Sequence, residues 1–162
     1  MTVGDDPRGR RATEDGGYWH FYHDPRGLAL VRAEIHALTD GTGSEGGLLV
    51  KAEIRQMLQA AMNGKLRFGE KDDVSGIWRE PDLCELRLTY RSFEEFEDGV
   101  TEPAGYKYRL YFAEPPQDQR LLLGLKFGRV PANEAGLNLQ DEHIDCASDR
   151  YITGLSHRWG LR

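Results

Sequence analysis

The chain has little cysteine and no long apolar run. Its 162 residues include two cysteines, Cys84 and Cys146, which are too few and too far apart for a disulfide framework or a zinc site. No apolar run approaches the roughly 20 residues of a membrane helix, and no basic-then-apolar leader opens the sequence. Its length suits one domain. We therefore expect a soluble protein of the reducing cytoplasm, without a membrane partner.

An excess of positive charge is also missing. The net charge of −6 argues against a simple nucleic-acid binder, because phosphate contacts require surplus Lys and Arg. The charge is unevenly distributed, with five acids against one base in residues 91–105 and five bases against two acids in residues 106–131. This pattern allows a basic sheet inside an acidic chain, and it equally allows two solvated surfaces. The five histidines show no metal-binding spacing.

Three central segments alternate between apolar and polar side chains. They are residues 83–90, 106–113 and 120–127. Because successive side chains on a strand point to opposite faces, the pattern predicts an antiparallel sheet with one buried and one wet face. The wet face is predicted to carry Arg87, Arg109 and Lys126 together. The leucines predicted to be buried are Leu86, Leu110, Leu123 and Leu125.

The flanking segments predict helices and a short first strand. Residues 18–22 are aromatic and predict a strand, whereas helical spacing of apolar residues predicts helices over 27–38, 47–62 and 140–153. Residues 66–82 and 128–137 are predicted to be turns and loops. The domain is expected to span residues 18–155, between a flexible N-terminal tail (1–17) and a C-terminal tail (156–162). The acidic insertion (91–105) is predicted to be mobile or to face a partner.

At this point the chain resembles the RelE/HigB-like toxins of bacterial toxin–antitoxin modules, including phage-derived members. The resemblance rests on motifs in a fixed order: Ser75-Gly76-Ile77-Trp78, Leu83-Cys84-Glu85-Leu86-Arg87, Tyr108-Arg109-Leu110-Tyr111-Phe112, Leu123 to Pro131, and the His143 to Arg150 helix with its Ile-x-x-Ala-x-x-Arg pattern. It implies an α+β fold of the RelE-like kind. An antiparallel sheet of about four strands would pack on two N-terminal helices and be followed by a C-terminal helix.

The resemblance also implies an activity. Active members cut mRNA, usually on the ribosome, without metal or cofactor, and are held in check by an antitoxin, here expected to be a small helix-turn-helix protein. The ribose 2′-hydroxyl attacks the neighbouring phosphate while cations stabilise the phosphorane and a proton donor serves the leaving oxygen. Candidate catalytic residues are Arg109, Lys126 and His143. Candidate RNA-binding or phosphate-binding residues are Arg87, Arg129 and Tyr111.

A second hypothesis is a catalytically inactive protein-binding module on the same RelE-like fold. Ile144 stands where some members carry a tyrosine that transfers protons, although His143 and Asp145 flank it and some HigB-like members use His and Asp. The missing tyrosine and the acidic total charge favour this alternative. The strand motifs around Arg109 and Lys126 favour the ribonuclease.

Overall fold

The computed structural model describes residues 11–40, 44–69, 73–88, 93–95, 101–103, 106–131 and 134–161. These residues form three α-helices and a short 3-10 helix, besides the strands. They are α1 (Leu30–Asp40), α2 (Ser44–Met62), α3 (Glu134–Gly154) and the 3-10 helix Leu155–Gly160. The strands are β1 (Tyr18–Phe21), β2 (Val74–Ile77), β3 (Glu80–Arg87), β4 (Phe93–Glu95), β5 (Thr101–Pro103), β6 (Tyr106–Ala113) and β7 (Leu121–Pro131).

Five strands form one mixed sheet in the order β1-β7-β6-β3-β2. The three central strands pair antiparallel, as the alternation predicts. The prediction of about four antiparallel strands needs correction, because β1 pairs parallel with β7 and β2 adds an edge to β3. Residues 66–82 were predicted to be turns, yet Val74, Ser75 and Ile77 are buried in β2. The fold is α+β.

One face of the sheet forms the apolar core expected from the sequence. Leu86 and Leu110 pair on this face, and both are buried, as are Leu123 and Leu125. A bulge that places Phe112 opposite Gly124 and Ala113 opposite Leu123 interrupts the predicted alternation on β7, so Leu123 lies on the other face from Leu110. On β1, the indole of Trp19 meets the ring of Phe112 edge-on, with centroids 5.4 Å apart. The same indole donates a hydrogen bond to the Leu58 carbonyl of α2 at 3.1 Å. The helix α2 therefore packs over β1 on the apolar side, where its buried residues Val50, Ile54, Met57 and Ala61 join the core.

The opposite face is covered by α3, and the prediction that it is wet is wrong. The helix begins at Glu134 rather than Gln140, and β7 continues to Pro131 through the segment predicted to be a loop. The side chain of Gln140 donates to the Glu85 carboxylate of β3 at 3.0 Å. Alternation alone cannot detect such a cover, because a polar strand face looks the same in sequence under solvent and under a polar helix.

Both ends of the described chain pack against the domain. Ala12 is fully buried and its carbonyl accepts from the Leu66 amide at 3.1 Å, so residues 11–17 lie in the fold rather than in a tail. At the other end Trp159 is buried and stacks on Tyr151 with centroids 5.7 Å apart, which places residues 156–161 in the domain as well. In the acidic insertion β4 pairs with β5; residues 1–10, 91–92, 96–100, 104–105 and 162 lie outside the described residues.

Candidate active site

The register of the sheet brings the predicted cations onto one face. Arg87 pairs directly with Arg109, which in turn pairs with Gly128. In the neighbouring row Tyr111 lies between Glu85 and Lys126. Rows two residues apart share a face of the sheet. We call the group that these rows form with side chains from the helices the polar cluster; its members are Glu34, Glu85, Arg87, Arg109, Tyr111, Lys126, His143 and Arg150.

Glu85 is the carboxylate on which the two arginines converge. Its side chain is 6% exposed, and its Oε1 lies 2.7 Å from Arg87 Nε and 3.9 Å from Arg109 Nε. Its second oxygen accepts from Gln140. Arg109 also donates to the Tyr108 carbonyl at 2.9 Å. A largely buried carboxylate thus accepts a hydrogen bond from Arg87 and forms a longer ion pair with Arg109.

Glu34 of α1 plays the corresponding role for Lys126. Its carboxylate accepts from Lys126 Nζ at 2.7 Å and from both terminal nitrogens of Arg150, at 3.0 and 2.9 Å. It also accepts from the backbone amide of Phe127 at 3.2 Å, while Arg150 donates to the Leu125 carbonyl at 2.8 Å. Because β1 ends opposite Gly124, these side chains complete the edge of β7 where the parallel strand stops.

His143 of α3 packs against the polar cluster at Gly128. A Cβ atom on Gly128 would come within 2.6 Å of its Nδ1 atom, so the imidazole sits directly on the glycine. Burial, and then the charge of Lys126, lower the pKa of His143, which keeps the ring neutral at neutral pH. Among the described residues its buried Nδ1 atom has no hydrogen-bond partner. A neutral imidazole with a vacant nitrogen can accept a proton.

Tyr111 adjoins His143, with ring centroids 6.2 Å apart. It is fully buried, and its hydroxyl also lacks a partner within the described part of the chain. Burial, reinforced by Glu85, raises the pKa of Tyr111. The position does not suit the direct RNA contact suggested by the sequence, because the ring has no exposed surface.

The structure assembles most of the predicted site. Arg87, Arg109, Lys126 and His143 converge in the polar cluster, with Tyr111 beneath them. Arg129 does not join them, because it pairs with Tyr108 and lies on the opposite face from Gly128 and Arg109. The sequence placed Arg129 in a loop, whereas β7 extends through it.

Sequence reasoning missed the contribution of Glu34. A signal was present, because Glu34 lies three residues after Val31 and directly before Ile35, on the apolar stripe of α1. A charged residue at an inward-facing helical position needs a buried partner. Arg150 stands likewise three residues after the buried Ala147. The opposite charges of these two positions could have suggested their pairing.

A cleft of about 250 Å³ opens beside the polar cluster, between the β2–β3 turn and α3. It is lined by Ile77, Trp78, Arg79, Glu85, Gln140 and Ile144, among others. Glu85 therefore belongs both to this cleft and to the polar cluster. The side chain of Trp78, at the edge of the cleft, is 97% exposed.

Comparison with protein-family models, with curated proteins and with solved structures finds no match to this chain. Across the described ranges, no His, Cys, Asp and Glu side chains gather in a group of three or more that could bind a metal ion. The helices within those ranges include none of the length and apolarity needed to span a membrane.

Proposed function

We propose that the chain is a RelE/HigB-like toxin that cleaves mRNA by metal-independent phosphoryl transfer and is restrained by an antitoxin. One observation carries this proposal. Arg87, Arg109, Lys126 and His143 come from four separate sequence motifs; the three cations lie on one face of the sheet, and His143 of α3 packs onto that face at Gly128. Convergence of cations with a neutral base is what cleavage by the ribose 2′-hydroxyl requires.

Each member has a role that its surroundings support. His143, held neutral by burial and by Lys126, accepts the proton of the 2′-hydroxyl as the 2′-oxygen bonds to phosphorus, and water protonates the 5′-oxygen that leaves when its P–O bond breaks. Arg109 and Lys126 stabilise the charge that develops on the phosphorane, and they project from rigid strands. Glu85 and Glu34 hold these cations in place and thereby act as positioning residues. No cofactor enters the scheme.

Arg87 is the proposed point of entry for the RNA phosphate. Its side chain is 26% exposed, against 13% for Arg109 and 18% for Lys126. An incoming phosphate replaces the Glu85 carboxylate as the partner of the Arg87 guanidinium. This is feasible because arginine binds phosphate and carboxylate through the same fork of N–H groups. The exchange loosens the contact of Glu85 with Gln140 and gives the phosphate access to the deeper cations.

The test is induced expression in a bacterial host, read as growth and as mRNA cleavage. The parent is expected to arrest growth. Arg109→Gln and Lys126→Gln are expected to lower cleavage by about 10²–10³, whereas Arg120→Gln, an exposed residue outside the polar cluster, keeps activity. Thermal unfolding of each purified variant checks that the fold remains. A parent chain that neither arrests growth nor cleaves RNA contradicts the proposal.

A second candidate function is the catalytically inactive protein-binding module on the same fold. It is favoured by the neutralisation of Arg87, Arg109 and Lys126 through Glu85 and Glu34, together with the net charge of −6. Co-expression with the product of the adjacent gene separates the candidates. A toxin forms a complex that relieves growth arrest, whereas a binding module forms a complex although the chain alone never slows growth.

A further inference from the structure

Among the large apolar side chains that the structure describes, Trp78 has the highest relative exposure. The ring lies at the turn between β2 and β3 and is 97% exposed. A single exposed apolar side chain is ordinary, but this tryptophan also lines a cleft. Tryptophan is also the side chain most enriched among the residues that dominate binding energy at protein interfaces.

The cleft beside Trp78 has the size of a single side chain. Its volume of about 250 Å³ is below the roughly 300–1,000 Å³ of pockets for drug-sized ligands. Ile77 and Ile144 give it an apolar wall, since both are buried, and Glu85 and Gln140 supply polar groups. A long side chain with an apolar stem and a polar end fits this arrangement.

The charges around the cleft indicate whether the bound side chain ends in a cation or an anion. Arg79 is paired with Asp145 at 3.0 Å and with Asp141 at 3.6 Å, so two carboxylates of α3 face one guanidinium. Residues 78–82 and 140–146 together hold five acids (Glu80, Asp82, Asp141, Glu142 and Asp145) against one base (Arg79), for a net charge of −4. This acidic rim favours a cationic ligand.

We propose that Trp78 and its cleft bind a basic, arginine-bearing peptide segment of a partner protein. The guanidinium of the partner lies over the Trp78 ring, where cation–π attraction is strongest for tryptophan and commonest for arginine. The acidic rim contributed by Asp141 and Asp145 then complements the remaining charge of the segment. The proposal does not depend on the proposed RNA cleavage, although the cleft shares Glu85 with the polar cluster.

The experiment measures binding of synthetic peptides to the full chain by isothermal titration calorimetry at low salt. The probe is a short peptide of alternating arginine and glycine, and the matched control peptide carries neutral citrulline in place of arginine. The parent is expected to bind the arginine peptide and not the citrulline peptide. Trp78→Ala should weaken binding about tenfold, with Trp78→Phe in between because it keeps a smaller π face.

Two further variants sharpen the result. Asp141→Asn with Asp145→Asn should also weaken binding, whereas Leu49→Ala, an exposed apolar residue of α2, should leave it unchanged. Unfolding temperatures check the fold of each variant. Equal affinity of the arginine peptide for the parent and Trp78→Ala overturns the proposal, as does equal binding of the citrulline peptide. Binding of single-stranded oligouridylate that is lost in Trp78→Ala assigns the surface to RNA and overturns it as well.

Discussion

Arg87 and Arg109 lie directly opposite each other on adjacent antiparallel strands and share the carboxylate of Glu85. Like charges at directly opposed positions of a sheet destabilise it, and here the two side chains are only 26% and 13% exposed to water. Glu85 offsets this repulsion because it lies on the same face, one row away, with its side chain only 6% exposed. The carboxylate therefore determines whether the two cations can stay together.

Glu85→Gln is expected to lower the free energy of unfolding by about 3 kcal/mol, because it removes the negative charge that two partly buried guanidinium groups share. Urea denaturation at neutral pH measures the effect. The matched control is Glu142→Gln, which makes the same chemical change at an exposed position of α3 and should stay within about 0.5 kcal/mol of the parent. Equal losses in both variants would show that Glu85 does not hold the arginines.

The central strands and the face that carries their cations could be predicted because alternation is a local property of the sequence, whereas the bulge between β6 and β7 could not. The shared face of Arg87, Arg109 and Lys126 follows from the alternation and is confirmed. What could not be predicted is the cover of that face, because the contacts of α3 with β3 and β7 join distant parts of the chain. The loop predicted around Arg129 is wrong for a similar reason. Pairing of β7 with β6 continues beyond Gly128, and this contact with a distant segment makes a strand of a loop-like sequence.

Gly128 is constrained by its neighbour on α3 rather than by its own backbone. Gly128→Ala would place a Cβ about 2.5 Å from the imidazole of His143, so the ring must move or the helix must shift. We expect a loss of about 1–3 kcal/mol in unfolding free energy. In the His143→Ala background the same substitution should cost much less, because the obstructing ring is gone.

A double-mutant cycle of Gly128→Ala and His143→Ala tests this contact, with unfolding free energies from urea titration. Gly76→Ala is a useful comparison, because Gly76 is an exposed glycine of the edge strand β2; its cost should be independent of His143. Additive losses from Gly128→Ala and His143→Ala would mean that the imidazole does not rest on this glycine.

Glu34 supports the edge of β7 through charge and through a backbone hydrogen bond, and the two contributions can be separated. Glu34→Gln keeps an oxygen that can accept from the Phe127 amide but loses the charge that pairs with Lys126 and Arg150. Glu34→Ala loses both. We expect about 3–5 kcal/mol for the alanine variant and a smaller loss for glutamine. Arg32→Ala, at an exposed position of the same helix, should be nearly neutral, and an equal cost for all three would reject the assigned role.

The pH dependence of stability should reveal the titration of two partly buried histidines, His143 and His20. Burial lowers the pKa of both His143 and His20, so the unfolded chain binds more protons than the folded chain below the ordinary histidine pKa of about 6.5. Stability therefore falls as the pH drops from about 6.5 through the folded-state pKa values of the two histidines. Above pH 6.5 both are neutral in the folded and the unfolded chain, so they add no pH dependence.

His143→Gln should make the decline in stability below pH 6.5 shallower, because the substituted side chain takes up no proton in either state. His20→Gln, which removes the ring that bonds to the Trp159 carbonyl at 2.8 Å, should reduce the slope independently, since the two histidines lie in different contacts. The double variant should then combine both reductions. Urea denaturation midpoints between about pH 4.5 and 8, converted to free energies, give the slopes. A His143→Gln variant that keeps the full slope of the parent would mean that this imidazole titrates as it does in the unfolded chain, and a neutral general base at His143 would then have no support from its burial.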